Sequence, residues 1–360
     1  MRILIASGAS GGHIFPALSL LEALEAYKDI NTLLVLPARC AKDNPVVDKK
    51  KISYVAMPKL RLSLNWNSIA GFFGLLRGSL QSLFILLEFR PEVVVGFGTL
   101  DCLPIVLWAW LLRLKTMIHE QNVKPCRANK LLAKFVGRIA ISFDQTKGYL
   151  DVAPEKISLT GNPLRNGLEK IERNEALNFF GFRPGKFTIL VMGGSQGSHN
   201  INTAFLNSIQ AIGDKFELQI VHLTGTKDFL SIMEAYRGLG LDAKVIDFLK
   251  PIHYAYRASD LVICRAGALT ISEIIFFRIP AILIPYPYAY EHQLANAAIL
   301  EKSGPAIIVK DQELDSGRLK EKMELLLNDK SRVEAMRASY SKLSMLDAAR
   351  LLAEAAVSLA

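Results

Sequence analysis

Short apolar runs rich in β-branched residues alternate with longer helical patterns along the whole chain. Six runs lie in the first half, namely ILIAS, TLLVL, ISYVAM, EVVVGFG, TMIHEQ and RIAIS. Six more lie in the second half, namely FTILVMGG, LQIVHLTG, AKVIDFL, DLVICRAG, PAILIPYP and AIIVK. Strands that are apolar at nearly every position are typical of parallel sheets covered by helices on both faces. The pattern therefore predicts an α/β protein with two doubly wound domains.

The predicted boundary between the two domains lies near residues 161–177, GNPLRNGLEKIERNEAL. The β-pattern stops there, Pro163 interrupts it, and charged helical sequence begins. We therefore expect one domain at residues 1–163 and a second at residues 164–340. Residues 341–360 continue as helical sequence, and we expect a terminal helix that packs back across the junction.

The net charge of +9 is concentrated in the first half of the chain. Residues 1–163 carry 20 Lys and Arg against 12 Asp and Glu, whereas residues 164–360 carry 23 against 22. A basic half indicates an anionic partner such as a phospholipid surface, a phosphorylated substrate or nucleic acid, although a merely soluble basic surface explains the charge equally well. Nucleic acid is the least favoured partner, because the basic residues are not interleaved with aromatic ones in a recognisable binding module.

Neither a leader peptide nor a membrane-spanning helix is predicted. A glycine turn and a histidine interrupt the first apolar run, and no uncharged run reaches the roughly 20 residues that a span needs. The four cysteines, at positions 40, 102, 126 and 264, lack zinc or disulfide spacing, so we expect reduced thiols in the cytosol. Residues 64–87, LNWNSIAGFFGLLRGSLQSLFILL, predict either a core helix with one exposed aromatic edge or a face that lies on a membrane.

Two glycine-rich turns follow the first strand of each predicted domain. Residues 7–13, SGASGGH, and residues 192–198, MGGSQGS, each open a helix, so their backbone N–H groups can receive an anion such as phosphate. The first turn lacks G-x-G-x-x-G spacing and a following acidic residue, and it is not a Walker loop, so a dinucleotide site is not favoured. Two such turns would face each other across a cleft, although unrelated tight turns explain them equally well.

Polar side chains follow other predicted strands, at the edge where open α/β sheets bind ligands. HEQN at residues 119–122 ends one strand, RAGALTISE at 265–273 follows another, and HQLANA at 292–297 begins a later helix. A helix start near Thr270 favours phosphate, and Glu273 could accept hydrogen bonds from a ribose diol. Each group has a simpler explanation, since His119 could be a core histidine, Glu273 a helix-dipole partner, and Gln293 and Asn296 a solvated face. Their coincidence favours a two-domain cleft enzyme.

The segments SGASGGHIFPAL, HEQN, GNPLR, GGSQG, CRAGALTISE and HQLANA occur in this order over nearly the whole chain. Together they resemble the MurG family of peptidoglycan N-acetylglucosaminyltransferases. The resemblance implies a GT-B fold, with two Rossmann-like domains and a cleft between them. The first domain would bind the acceptor and associate with the membrane, and the second would bind UDP-N-acetylglucosamine.

The resemblance also implies a reaction and its partners. N-acetylglucosamine would pass from UDP-N-acetylglucosamine, with inversion, to the 4-hydroxyl of the muramyl sugar of undecaprenyl-pyrophosphoryl-MurNAc-pentapeptide, converting lipid I to lipid II. The enzyme would need no cofactor and no metal, in keeping with the absence of a D-x-D motif from the sequence. It would be a peripheral protein on the cytoplasmic face of the cell membrane, bound to an anionic membrane surface.

Site residues carried over from the resemblance fall into a donor set and an acceptor set. The donor set is Arg165, Ser195, Gln196, Leu249, Ala268, Leu269, Thr270, Glu273, His292, Gln293 and Asn296. The acceptor set is Ser10, Gly11, Gly12, His13, His119, Glu120 and Asn122. We expect His13 to be the catalytic base or to orient it, with Glu120 as the competing candidate.

Three positions depart from the family's pattern. The loop GFGTLDCLP at residues 96–104 carries Asp101 and Cys102 where small residues are usual, Cys126 replaces a glycine, and His292 replaces a glutamine. A carboxylate at position 101 is expected to repel an acceptor diphosphate. The alternatives that remain are a transferase for another acceptor such as diacylglycerol, a UDP-sugar epimerase, and a non-catalytic scaffold of the cell-wall machinery.

Overall fold

Two separately organised units make up the chain. The structure, a computed structural model, describes residues 1–40, 52–56, 66–288 and 291–360, with residues 66–73 through their backbone only. The first unit consists of Met1–Arg165 and Leu346–Ala360, and the second of Asn166–Met345. Each is an α/β unit built on a parallel sheet, as the alternation of apolar runs and helical patterns predicts.

A seven-stranded sheet forms the centre of the first unit. Its strands are β1 (Arg2–Ala6), β2 (Asn31–Pro37), β3 (Ile52–Val55), β4 (Val93–Gly96), β5 (Lys115–Glu120), β6 (Arg138–Ile141) and β7 (Ile157–Leu159). They pair in the order β3-β2-β1-β4-β5-β6-β7, and all of these pairs are parallel. The strand order reverses between β1 and β4, and open α/β sheets bind ligands at such a point.

Helices cover both faces of this sheet. They are α1 (Gly11–Leu24), α2 (Trp66–Phe89), α3 (Thr99–Leu111) and α4 (Arg127–Leu132). Because side chains alternate along a strand, Ile3 and Ile5 join one apolar cluster with α1, while Leu4 joins a second cluster with α3. Burial on both faces explains why the strands are apolar at nearly every position.

A six-stranded parallel sheet forms the centre of the second unit. Its strands are β8 (Phe187–Met192), β9 (Leu218–Leu223), β10 (Asp242–Ile246), β11 (Leu261–Cys264), β12 (Ala281–Leu283) and β13 (Ala306–Ile308). They pair in the order β10-β9-β8-β11-β12-β13. The order reverses between β8 and β11, so this sheet repeats the arrangement of the first unit.

The second unit carries eight helices within its described residues. They are α5 (Arg173–Phe179), α6 (His199–Ile212), α7 (Phe229–Tyr236), α8 (Ile252–Ala258), α9 (Ala268–Phe277), α10 (His292–Ser303), α11 (Ser316–Leu327) and α12 (Lys330–Ala338). An apolar cluster packs α6 and α11 against β8 and β9. Phe205 and Met323 are fully buried in it.

The last helix, α13 (Ala348–Val357), returns to the first unit and packs against α1. Its apolar face places Leu352 and Ala356 in the same cluster as Ile3 and Ile5. On its other side, Arg138 donates a hydrogen bond to the carbonyl of Ala355 at 2.7 Å. The apolar core of the first unit is thus formed by two segments of the chain, residues 1–165 and residues 346–360, that lie far apart in the sequence.

All twelve apolar runs form strands, and the predicted fold class is confirmed. The additional strand β7 has three residues, two half-buried and one exposed, so it lacks the apolar run that identified the others. Within the ranges that the structure describes, no helix is both long enough and apolar enough to cross a membrane.

Candidate active site

The glycine turn after β1 places His13 at the carboxyl edge of the first sheet. Ser10 is the N-terminal cap residue of α1, and its Oγ atom lies 2.6 Å from Nδ1 of His13. A Cβ atom added to Gly8 would lie 2.6 Å from Oγ1 of Thr99, whereas one added to Gly12 would meet nothing within 4 Å. Gly8 therefore allows close packing of two turns, and Gly12 leaves the helix start open.

The His13 imidazole is neutral at physiological pH. Desolvation by the surrounding protein lowers the pKa of His13 to about 4, and the Asp101 carboxylate acts in the opposite direction. The contact with Ser10 permits two tautomers, since Ser10 can donate to Nδ1 or accept from it. Only the tautomer with hydrogen on Nδ1 leaves Nε2 able to take a proton from a substrate.

His119 lies in the core of the first unit and does not line a ligand surface as expected. Its side chain is fully buried, with Nε2 lying 3.0 Å from the carbonyl of Gly161 and Nδ1 accepting from Nε2 of Gln121 at 3.2 Å. Burial lowers the pKa of His119 to about 4. A neutral ring that donates through Nε2 satisfies both contacts, so the simpler explanation, a core histidine, fits its position.

Glu120 organises the turn after β5, and its geometry opposes the role of general base. One carboxylate oxygen accepts from the backbone and side-chain nitrogens of Asn122, at 2.9 and 3.1 Å. The other accepts from the backbone N–H of Cys126 at 3.0 Å and from Nδ2 of Asn129 at 2.8 Å. Four donors surround this buried carboxylate and hold both of its oxygens inside the turn. Asn122 is thereby fixed at the half-buried rim of the turn.

Asp101 forms an ion pair, which changes its expected effect on an acceptor diphosphate. Its Oδ2 atom lies 2.6 Å from Nη2 of Arg39, which follows β2, and 3.3 Å from Oγ1 of Thr99. The side chain of Asp101 is 9% exposed and that of Arg39 is 28% exposed. The guanidinium compensates the carboxylate, so the expected repulsion of a second anion is reduced.

The glycine turn after β8 presents Ser195 and Gln196 at the surface of the second unit. Gly194 and Gly197 have φ angles of +92° and +73°, which favour glycine. A Cβ atom on Gly197 would lie 2.0 Å from the carbonyl oxygen of Thr224, whereas one on Gly194 would meet nothing within 4 Å. The turn is thus held against the end of β9 with its two polar side chains outward.

The start of α9 lies beside this turn, because β8 and β11 are neighbours in the sheet. Gly267 caps the helix, Ala268 is buried, and Leu269 and Thr270 are half-buried. One turn further, Glu273 is 5% exposed and its Oε2 atom accepts a hydrogen bond from the Tyr256 hydroxyl at 2.8 Å. The helix start offers backbone N–H groups to an anion, with a fixed carboxylate behind them.

Gln293 and Asn296 lie on α10 but differ in what they can reach. The Oε1 atom of Gln293 accepts from the backbone N–H groups of Ala266 and Tyr286, both at 3.0 Å. These contacts fix the amide orientation and leave its NH₂ group as a donor at a half-buried position beside His292. Asn296 is fully buried and donates to the carbonyl of Ala266 at 3.2 Å, so it supports the loop after β11. Its contact with a sugar stays a prediction.

The two remaining donor-set residues lie apart in the chain. Leu249 is half-buried just beyond β10, at the carboxyl edge of the second sheet. Arg165 is the last residue of the first unit before the chain enters the second. Its guanidinium carbon lies 3.6 Å from the centroid of the Phe15 ring on α1, a cation–π contact within the first unit.

Sequence analysis did not identify Arg265 as a site residue, although it belongs to the quoted CRAGALTISE segment. Its Nη2 atom donates to Oγ of Ser198 at 2.8 Å and its Nη1 atom donates to the carbonyl of Ile284 at 3.2 Å. It also forms a buried ion pair with Asp311. A single guanidinium thus joins the ends of β8, β11 and β12. In the sequence, the position of Arg265 directly after a buried strand could have identified it.

Most candidate residues thus lie at the carboxyl edges of the two sheets. In the described part of the chain, no group of three or more His, Cys, Asp or Glu side chains is arranged to hold a metal ion. The groups that these edges offer to a ligand are backbone N–H groups, a neutral histidine and fixed carboxylates. These groups suit proton transfer and anion binding.

Comparison with known proteins identifies the class and the family. Two Rossmann-like units with these strand orders match GT-B structures. A crystal structure of Acinetobacter baumannii MurG has a TM-score of 0.77 at 22% identity and covers 99% of this chain and 100% of that one. A UDP-GlcNAc 2-epimerase from Neisseria meningitidis, solved with UDP-GlcNAc, has a TM-score of 0.71 at 14% identity and covers 100% and 99%. At these identities the structures establish the fold alone.

Sequence similarity is more specific. Residues 3–141 match the glycosyltransferase family 28 N-terminal domain, and residues 188–352 match the C-terminal domain of that family. A protein of Halothermothrix orenii is 39% identical over an alignment of 354 residues that covers 95% of each chain. It is named UDP-N-acetylglucosamine--N-acetylmuramyl-(pentapeptide) pyrophosphoryl-undecaprenol N-acetylglucosamine transferase. The chain belongs to glycosyltransferase family 28.

Proposed function

We propose that this glycosyltransferase transfers N-acetylglucosamine from UDP-N-acetylglucosamine to the muramyl sugar of undecaprenyl-pyrophosphoryl-MurNAc-pentapeptide. The observation that carries the proposal is the 39% identity over 95% of both chains with a protein named for that reaction. The same step is implied by the motifs of the sequence. It converts lipid I to lipid II.

His13 is the proposed general base. Its Nε2 atom takes the proton of the acceptor 4-hydroxyl as the oxygen attacks the anomeric carbon of the donor. The bond from that carbon to the diphosphate breaks on the opposite face, and its electron pair leaves with UDP. In the tautomer that this step requires, the Nδ1–H group of His13 donates to Oγ of Ser10 at 2.6 Å. The fully coordinated carboxylate of Glu120 supports the loop and not the proton transfer.

The proposed donor site belongs to the second unit. The turn of Ser195 and Gln196 and the start of α9 at Thr270 offer N–H groups to the diphosphate, where negative charge grows as UDP leaves. Glu273, oriented by Tyr256, accepts from the ribose hydroxyls. The NH₂ group of Gln293 donates to a sugar hydroxyl, because its carbonyl oxygen is already occupied by two backbone donors.

The proposed membrane-binding surface is an apolar stripe on α2. Leu76, Leu80, Phe84 and Leu87 recur at helical spacing and are 49%, 46%, 66% and 51% exposed. Arg77 is exposed on the same helix, Arg90 is exposed directly after its end, and the net charge of residues 1–163 is +8. An apolar stripe with adjacent cations suits the anionic cytoplasmic face of a membrane. The aromatic pair Phe72 and Phe73, expected to form this surface, lies outside the described side chains, as does the stretch 57–65.

A panel of acceptors tests the proposed reaction. Purified enzyme receives UDP-N-acetylglucosamine labelled in the sugar together with a short-chain lipid I analogue, diacylglycerol, or no acceptor. We expect label in the lipid I analogue alone, with one UDP released for each sugar transferred. Transfer to diacylglycerol in preference to the lipid I analogue would show that the proposed acceptor is wrong. Formation of a 2-epimer of the donor without any acceptor would show that the enzyme is an epimerase and not a transferase.

A further inference from the structure

Three turns at the carboxyl edge of the first sheet bring ionisable groups together around His13. Ser10 and His13 follow β1, Arg39 follows β2, and Asp101 follows β4. These strands are adjacent in the sheet, and its strand order reverses between β1 and β4.

Among the described residues, the contacts of the Asp101 carboxylate are made by its Oδ2 atom. Its Oδ2 atom accepts from Nη2 of Arg39 at 2.6 Å and from Oγ1 of Thr99 at 3.3 Å. The backbone N–H of Asp101 donates to the same Thr99 oxygen at 3.3 Å. The carboxylate is 9% exposed, so little water screens its electrostatic interaction with neighbouring charges. Asp101 is thus a fixed negative charge with a single guanidinium partner in the described structure.

The turn that carries Asp101 interlocks with the turn that carries His13. Thr99 has a φ of 67°, which is unusual for a β-branched residue, and follows Gly98 with a φ of 75°. The Thr99 side chain packs so closely on Gly8 that an added Cβ there would lie 2.6 Å from its Oγ1. Cys102 also donates to the carbonyl of Ala6 at 3.3 Å. Strained conformations of this kind persist where the surrounding structure fixes them, often at functional sites.

We propose that Asp101 is a positioning residue for proton transfer, whose carboxylate stabilises the His13 imidazolium while Arg39 limits the strength of that effect. The proposal rests on the proposed function, in which His13 takes the acceptor proton. The O–H bond of the acceptor breaks, the proton forms a bond to Nε2, and the oxygen's electron pair forms the new bond to the anomeric carbon. The imidazolium then exists beside Asp101 until the proton passes to water.

The other charges around α1 do not replace Asp101. α1 packs against β1, β2 and α13, and the Arg165 guanidinium lies over the ring of Phe15 on α1. β1 contributes Arg2 at its far end and β2 contributes no charged residue. On α13, Arg350 and Glu354 are paired with each other at 2.6 Å. His119 is neutral, with its own pKa lowered to about 4 by burial. Asp101 is the group that raises the pKa of His13 against the effect of desolvation.

Two variants with opposite expected effects test the proposal. In Asp101→Asn the favourable charge is lost, and in Arg39→Gln it is unmasked. The pKa of the His13 imidazole is measured by NMR titration of isotopically labelled protein, with its signal assigned by loss in His13→Gln. We expect Arg39→Gln to raise this pKa by about half a pH unit and Asp101→Asn to lower it. Asp101→Asn should also reduce kcat by about tenfold at unchanged KM for the sugar nucleotide.

Asp144→Asn is the matched control, because Asp144 pairs with Lys147 at 2.6 Å on the surface of the same unit. It should change neither the His13 pKa nor kcat. The proposal is overturned if the His13 pKa is unmoved in both test variants, or if Asp101→Asn keeps full kcat. The titration needs no acceptor, so an enzyme that shows the shifts but transfers nothing to lipid I would contradict the proposed function and still support the coupling.

Discussion

The Tyr256 hydroxyl on α8 donates a 2.8 Å hydrogen bond to Oε2 of Glu273 on α9, and both side chains are buried. This contact fixes the carboxylate before any ligand arrives. Because a ligand then does not need to order it, the proposed ribose contact of Glu273 would cost little conformational entropy. Donor affinity should therefore depend on the pair.

Replacing Glu273 with Ala should raise the KM for UDP-N-acetylglucosamine more than any other single change in the donor set. Loss of a charged hydrogen-bond acceptor corresponds to about 2 kcal/mol, or roughly 30-fold. Tyr256→Phe should have a smaller effect of the same kind. Initial rates at saturating acceptor measure both, with His13→Ala as the variant that keeps donor binding. Equal loss of donor affinity in Glu273→Ala and His13→Ala would contradict this division of roles.

His13→Ala should lower kcat by at least about 100-fold, the usual contribution of a general base. Ser10→Ala should lower it by about tenfold, because the ring then loses the hydrogen-bond partner that fixes its orientation. Both effects are read from kcat at saturating donor, and donor binding is checked separately by calorimetry. A normal kcat in His13→Ala would exclude it as the base.

Substitution of the two glycines in the turn after β8 should reduce stability by different amounts. Gly194 and Gly197 both have positive φ angles, but only a side chain at position 197 would collide with a backbone carbonyl, that of Thr224. Gly194→Ala should cost about 1 kcal/mol of stability and Gly197→Ala several times more. Urea unfolding of the two variants measures the difference. Equal stabilities would show that the turn does not pack as described.

Stability should decline in mild acid because of buried histidines. Burial lowers the pKa of His119 to about 4 and that of His222 to about 3. The unfolded chain titrates these groups near their usual value of about 6.5, so below that pH it binds more protons than the folded chain. Above about pH 6.5 the free energy of unfolding has its full value, because both states are then neutral at these histidines. It falls progressively toward pH 4, by about 3 kcal/mol for each histidine.

His222 offers a direct test of this pH dependence. It is fully buried between Tyr236 and Asn202, at 3.1 and 3.2 Å. His222→Gln should be less stable at neutral pH yet lose less on acidification, as measured by urea unfolding across the same pH range. An unchanged pH dependence would contradict the assignment of a neutral histidine at this position.

Retention on anionic vesicles should depend on the apolar stripe of α2. Replacing Leu80 and Phe84 with Ser removes two exposed apolar side chains without opening the core. We expect sedimentation with phosphatidylglycerol vesicles to fall several-fold, and added salt to release the wild type. Leu230→Ser is the control, because Leu230 is 70% exposed in the second unit. Undiminished retention of the double variant would exclude this face.

Much of the fold could be predicted, because both sheets are covered on both faces. Continuous apolar runs such as EVVVGFG follow directly from that burial, whereas the half-exposed strand β7 carries no such signal. The site was predicted less completely. His13 and Gln293 lie where motif position suggests, but the same strand ends also carry buried supports. The segment HEQN does not itself show which side chains face a ligand and which make all their hydrogen bonds inside the turn. Glu120 belongs to the second kind.

Long-range pairing explains the remaining differences. Asp101 looks like an uncompensated charge in the sequence, because its partner Arg39 lies 62 positions away. Arg265 looks like part of a phosphate motif, whereas its contacts reach Ser198 and Asp311 on other turns. Such pairs depend on which strands become neighbours, and a single sequence does not state their side-chain geometry.

The proposed reaction is inverting sugar transfer to a lipid-linked muramyl acceptor. The most direct measurement is NMR analysis of the product formed from the α-linked UDP-N-acetylglucosamine donor and a short-chain lipid I analogue. We predict a disaccharide with a β linkage to the 4-oxygen of the muramyl sugar, absent with His13→Ala under the same conditions. An α linkage, or consumption of the donor with no disaccharide formed, would contradict the account.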